Sequence, residues 1–210
     1  MVSTKNRWTP CREQEGSGRC VGQTLTLATR DALIQAAEGL MRTKGYAAFS
    51  YADLADAVGI RKASIHYHFP TKEDLGIAIV EEYVSRVQAE FERIEINQAG
   101  AVERLKAFFV LFYSSTEGGL LPLCGALAAE MAALPDGLQR LTRRFFDVQL
   151  SWLTRVMDEG IAAGELARGR GAREKSYLLL SILEGSSFIN WATREGETVN
   201  IAVIRMIAEY

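Results

Sequence analysis

This sequence predicts an all-helical chain with a small N-terminal head and a larger helical body. Three observations carry that prediction. Between Phe49 and Leu75 two short helices, the first opened by a serine cap, meet at a glycine. Elsewhere apolar residues recur every three or four positions over long stretches, which is the period of a helix with a buried face. The stretch after Asp136 carries two such stripes on one helix, as expected for the centre of a bundle. No segment alternates convincingly as a strand. The pattern accommodates about nine helices, and 210 residues suffice for a substantial core.

Residues 1–25 are mixed in charge, rich in small polar residues and without periodicity, so they are expected to be a disordered tail. The alternative is a basic arm using Lys5, Arg7, Arg12 and Arg19, diluted by Glu13 and Glu15. A first helix is expected from Thr26 or Thr29 to about Lys44, with Leu33, Ile34, Ala37, Leu40 and Met41 on its buried face and Gly45 as its stop. Ser50 caps the next helix, with Asp53 three residues on to answer it. Leu54, Ala55 and Val58 form its buried stripe, and Gly59 turns the chain. The third helix runs from Lys62 to Phe69, where Pro70 stops it. Thr71 and Asp74 form a second capping pair. They open a fourth helix, to about Ile94, whose stripe is Val80, Val84, Val87, Phe91 and Ile94.

A fifth helix covers Ala101 to Ser114, with Leu105, Phe109 and Phe112 on one side and Phe108, Leu111 and Tyr113 widening it. Pro122 opens a sixth, reaching Ala133. The seventh, Asp136 to Ala163, carries the two stripes and ends at Gly164. An eighth spans Ala172 to Thr193 and a ninth Thr198 to Glu209. The last two are so apolar that a monomer would expose a large patch, which a second copy can cover across a two-fold axis.

The formal net charge is −2, but it divides unevenly. Residues 1–70 hold nine Lys+Arg against six Asp+Glu, leaving fifteen against twenty for residues 71–210. Basic charge gathers at the helix–glycine–helix end. The third helix presents an unusual set: Lys62, Ser64, His66, Tyr67 and His68 point outward, while Ile65 and Phe69 share the inner face. Short polar, aromatic and cationic side chains of this kind suit base edges and phosphates.

Helix, glycine turn, helix is the helix-turn-helix pattern. Here the sequence resembles the TetR family of transcriptional repressors. The resemblance rests on Ser50, Asp53-Leu54-Ala55, Val58-Gly59-Ile60, Lys62, Ser64-Ile65, Tyr67-His68-Phe69, Lys72 and Leu75. Arg61 stands where the family more often has a small hydroxyl residue, and His66 where it usually has tyrosine. Both departures bear on which operator is read.

The resemblance implies a head at residues 26–70 that reads double-stranded DNA at a palindromic operator, and a ligand-binding and dimerisation body at 71–210. It implies DNA contacts from Lys62, Ser64, His66, Tyr67 and His68, with Ser50, Arg61 and Ala63 beside them and Lys72 on a phosphate. It also implies an aromatic cavity for a small-molecule inducer. Phe108, Phe112, Tyr113, Trp152 and Phe188 are candidate walls, with Cys124, Gln149 and Glu184 as polar companions. Cys124, at the start of the sixth helix, is either a sensor thiol or a small buried residue. A homodimer would form through the last two helices, with Leu179, Leu183, Ser186 and Ile204 at its interface.

Other classes fit less well. The only two histidines are two apart and lie on the outward helix, which suits neither a catalytic triad nor a metal site. Three cysteines without metal-ligand spacing, no signal peptide and no apolar run near the ~20 residues of a membrane span point to the cytoplasm. No catalytic residue, cofactor or metal is expected. The rival reading is a ligand-binding or protein-interaction dimer whose head reads no specific operator.

Overall fold

The computed structural model describes residues 18–194 and 199–209, with side chains from Ala28 onward. Among them lie nine α-helices and one short 3-10 turn, and no strand. The head comprises α1 (Gly18–Lys44), α2 (Tyr51–Val58) and α3 (Lys62–His68). Helix α1 begins ahead of the expected Thr26, so residues 18–25 are helical. The expected tail and basic arm otherwise lie outside the described residues. Gly45, at φ 89°, takes the left-handed conformation that ends α1.

Both expected capping pairs form. The Ser50 hydroxyl accepts from the N–H groups of Ala52 and Asp53, and Asp53 answers the Ser50 N–H. Thr71 and Asp74 do the same for α4 (Lys72–Asn97). Gly59, at φ 73°, lets its own N–H and that of Ile60 both reach the Ala55 carbonyl, which sets α2 against α3. The body continues with α5 (Ala101–Ser115), α6 (Leu123–Ala129) and a 3-10 turn at Met131–Ala133. It ends with α7 (Asp136–Ala163), α8 (Ala172–Thr193) and α9 (Ala202–Glu209).

Two elements are shorter than expected. Helix α6 stops at Ala129, where Glu130 leaves the helical conformation (φ −102°, ψ 12°) and the chain tightens into the 3-10 turn. Helix α9 starts at Ala202, where the Asn200 side chain accepts the Ala202 N–H at 2.8 Å. The expected start at Thr198 falls outside the described residues.

Helix α7 packs against α4, α5, α6 and α8, as its two stripes require. Two buried clusters result. One joins Leu33, Met41, Phe49, Leu54 and Ile65 of the head to Leu75 and Tyr83 of α4, Leu127 of α6 and Phe145 of α7. The other joins Phe91, Phe108, Trp152, Leu179, Leu183 and Ile204. Head and body therefore share apolar packing through α4 and α6. Among the described residues no helix is long and apolar enough to cross a membrane, and no group of His, Cys, Asp or Glu could hold a metal ion.

Candidate nucleic-acid interface and buried cavity

Helix α3 is pinned from below and bare above. Ile65 is fully buried and Phe69 nearly so, which leaves Arg61, Lys62, Ala63, Ser64 and His66 exposed. Tyr67 is 79% exposed, so its phenol is free of the core, while His68 is half-buried. Arg61 and Lys62 make no hydrogen bond or ion pair among the described residues. Cations and donors thus stand on one solvated face, the chemistry a phosphate-lined groove demands.

The far end of α3 is fixed by Tyr51. Its hydroxyl lies 2.9 Å from the Phe69 carbonyl oxygen and 2.6 Å from that of Thr71. Burial, with Asp74 and Tyr46 nearby, pushes this hydroxyl up to about 12, so it stays a donor. The His66 ring meets Tyr51 edge-on at 4.9 Å, and its Nδ1–H donates to the Pro70 carbonyl at 3.2 Å. Ser50 sits at the edge of this face, but its hydroxyl is committed to capping α2. Hydrogen bonds from Lys44 and Ser50 hold the Asp53 carboxyl well below the usual carboxylate range.

Lys72 departs from expectation. Its ammonium turns inward, donating to the Phe49 carbonyl at 2.6 Å and resting over the Phe49 and Tyr46 rings at 4.4 and 4.7 Å. Burial lowers its pKa. It is not a free phosphate donor here, because the loop between α1 and α2 already occupies it. That loop is also gripped from the body. Glu130 accepts the Tyr46 N–H at 2.9 Å and the Ala47 N–H at 2.8 Å. A Cβ on Gly45 would lie 2.1 Å from the Glu130 carboxylate, so this glycine serves both the turn and the clamp. Sequence reading missed Glu130, since 84 residues separate it from Tyr46.

A cavity of about 510 Å³ lies between α4, α5, α7 and α8, with Pro122 at one edge. The expected Phe108, Phe112, Gln149 and Glu184 all line it, joined by Tyr83, Phe91 and Phe145. Gln149 Oε1 and both Glu184 carboxyl oxygens are buried and have no hydrogen-bond partner among the described residues. Burial pushes the Glu184 carboxyl up to about 7. A groove of about 970 Å³ between the ends of α5 and α8 is larger, but it holds none of these partnerless buried atoms.

The other four candidates lie elsewhere. Trp152 is buried behind the cavity, stacked on Phe91 at 4.5 Å, with its indole N–H donating to Glu95 at 2.6 Å. Tyr113 faces the larger groove, where its hydroxyl accepts the Val199 N–H at 3.0 Å and lies 3.2 Å from the Ser186 hydroxyl. Phe188 lines a surface groove between α6, α7 and α8, which meets the cavity at Glu184. Cys124 is fully buried, and desolvation, then the Glu184 and Glu38 carboxylates, raise its thiol well above the ordinary value. That is the opposite of an activated thiolate, so Cys124 is a core residue.

The expected interface residues also need correcting. Leu179 and Leu183 are 0% exposed and Ile204 2%, all inside the chain's own core, and Ser186 is half-buried beneath Tyr113. The period of α8 placed these residues on its apolar stripe, but that stripe faces α7. The exposed stripe is Tyr177, Ser181, Gly185 and Phe188, with Ile189 beside it.

Residues 33–79 match the family model described as bacterial regulatory proteins, tetR family. The chain is 30% identical over 141 residues to the HTH-type transcriptional regulator CymR of Pseudomonas putida, covering 65% of this chain and 69% of that protein. Its fold is similar to that of a TetR-family transcriptional regulator from Agrobacterium tumefaciens, with TM-score 0.76 and 30% identity over 87% of this chain and 95% of the other. It is likewise similar to a TetR regulator from Legionella pneumophila, with TM-score 0.73 and 26% identity over 85% and 91%. An outward cationic helix held on a helix-turn-helix, a helical body behind it and these relatives agree: the chain belongs to the TetR family of helix-turn-helix DNA-binding transcriptional regulators.

Proposed function

We propose that this chain is a homodimeric cytoplasmic repressor that reads a palindromic operator through α3 and releases it when a small molecule fills the cavity between α4, α5, α7 and α8. It acts by binding alone, without catalysis. Residues 26–70 form the reading head and residues 71–210 the ligand-binding and dimerising body. Arg61, Lys62, Ala63, Ser64, His66, Tyr67 and His68 face the major groove, with Ser50 at its border. Two heads about one helical turn apart, roughly 34 Å, read the two half-sites.

The observation that carries this reading is that the same two helices hold both the cavity and the head. Helix α4 contributes Tyr83 and Phe91 to the cavity and Lys72 to the head loop. The residues that bound α6 reach the same two places: Pro122, before it, edges the cavity, and Glu130, after it, grips the head loop. A ligand that shifts either helix changes the grip on the head. It must favour the form that does not fit DNA, because only differential affinity moves a population.

The exposed stripe of α8 supports dimerisation. Tyr177 and Phe188 flank the small residues Ser181 and Gly185, which allow a second helix to approach closely. The test is binding to DNA flanking the chain's own gene against random DNA at one salt concentration. Selective binding, lost in Lys62→Ala without loss of the dimer, is the expected result. Equal affinity for both DNAs would overturn the operator claim and favour a dimer that reads no operator.

A further inference from the structure

The cavity wall is chemically one-sided. Three oxygens, Gln149 Oε1 and the two of Glu184, are buried without a hydrogen-bond partner among the described residues. Leaving such a group unpaired costs free energy, so these atoms mark where a ligand places its donors. Around them stand the rings of Tyr83, Phe91, Phe108, Phe112 and Phe145. Ring faces attract cations and repel anions. The two arginines at the rim do not change this balance. Arg86 is paired with Glu38 at 2.5 Å, and Arg93 with Glu90. An anionic ligand would meet a buried carboxyl and no uncommitted cation.

We propose that the effector is an amine or amidine, cationic at neutral pH, on an aromatic or apolar body, with its charged N–H groups held by Glu184 and Gln149. This rests on the reading of the cavity as the effector site. A cationic donor fills the vacant acceptor positions, neutralises Glu184 and lies against the rings. The carboxyl packs close against Gly125, where a Cβ would lie 2.5 Å from Glu184 Oε2. Gly125 belongs to α6, whose other end is followed by the Glu130 clamp. Charge recognition at Glu184 therefore bears directly on the helix that grips the head.

The test uses three probes with one body and different heads: biphenyl-4-ylmethylammonium, biphenyl-4-methanol and biphenyl-4-carboxylate. Each is titrated calorimetrically into the full chain, and release of a selected DNA fragment is followed in parallel. The ammonium is expected to bind roughly tenfold or more tighter than the alcohol, and the carboxylate weakest, as a charge-assisted bond to a carboxyl implies. Glu184→Gln should remove the ammonium's advantage while leaving the alcohol within about threefold, which also reports that the cavity is intact. Gly125→Ala, which displaces the carboxylate without deleting it, should weaken the ammonium in the same direction. Tightest binding by the carboxylate, with DNA release, would overturn the cationic class and leave the ligand-released repressor standing. Ammonium binding that Glu184→Gln leaves unchanged would overturn the assignment to Glu184. Failure of all three to bind at millimolar concentration would overturn both the class and the cavity's use.

Discussion

Around the head, Tyr51, Asp53, Lys72 and Glu130 each meet a partner at 2.6–2.9 Å, whereas in the cavity wall the oxygens of Glu184 and Gln149 meet none among the described residues. The two regions lie along the same helices and contain similar side chains. The head has closed its polar network, so α3 is held in one orientation before DNA arrives. The cavity has left its network open, so part of its stability depends on what enters it. A regulator needs both: a rigid reader and an unsatisfied sensor.

The largest effect should come from removing what pins the reader. Ile65 is the one fully buried residue of α3. Ile65→Ala is expected to cost about 2–4 kcal/mol in denaturant unfolding, through lost burial and the cavity left behind. DNA binding should fall with it. A cost below 0.5 kcal/mol would mean that α3 is not anchored as described.

Opening the closed network comes next. Glu130→Ala leaves the Tyr46 and Ala47 N–H groups without their carboxylate, at an expected cost of about 2–3 kcal/mol. Hydrogen exchange at these two amides should accelerate more than at Leu54. Equal protection in variant and parent would show that the clamp does not hold the loop.

Removing the charge from the open network should act in the other direction, and only at higher pH. The folded chain raises the Glu184 carboxyl to about 7, above its ordinary 4.5. The fold therefore prefers the protonated form. Its contribution to stability is fully present below about 4.5 and is lost as pH rises through about 7. At roughly 1.4 kcal/mol per unit, the loss approaches about 3 kcal/mol by pH 8. Glu184→Gln should thus raise the melting temperature at pH 8 and leave it nearly unchanged at pH 4. The same increment at both pH values would contradict burial of an ionisable carboxyl.

The smallest effect on stability belongs to the bare face. Lys62→Ala touches no partner in the fold, so unfolding should change by less than about 0.5 kcal/mol. DNA affinity should weaken on every sequence, and the salt dependence should lose roughly one ion's worth of slope if Lys62 meets a phosphate. Loss of affinity on one sequence alone would make it a base reader instead.

The same contrast explains how much could be read from sequence. The capping pairs Ser50–Asp53 and Thr71–Asp74, and the stops at Gly45, Gly59 and Gly164, involve neighbours in the chain, so local chemistry revealed them. The two stripes of α7 were equally plain. The period of α8, however, marks Leu179 and Leu183 as apolar without saying whether α7 or a second copy covers them. Lys72 and Glu130 act across 23 and 84 residues, which no spacing rule reaches. Gln149 and Glu184 were suspected as polar companions of an aromatic cavity. That they lack partners is a property of the packed wall, visible only in three dimensions. Cys124 shows the converse: its place at a helix start suggested reactivity, and burial beside two carboxylates removes it.

An occupied cavity and a DNA-bound head should exclude one another. This exclusion is tested most directly by fluorescence anisotropy of a selected operator fragment on the wild-type dimer, titrated with biphenyl-4-ylmethylammonium through the range in which calorimetry shows saturation. DNA should leave as the cavity fills, and Glu184→Gln should shift release to higher ligand concentration by the factor lost in affinity. A stable ternary complex, with DNA still bound at a saturated cavity, would contradict it.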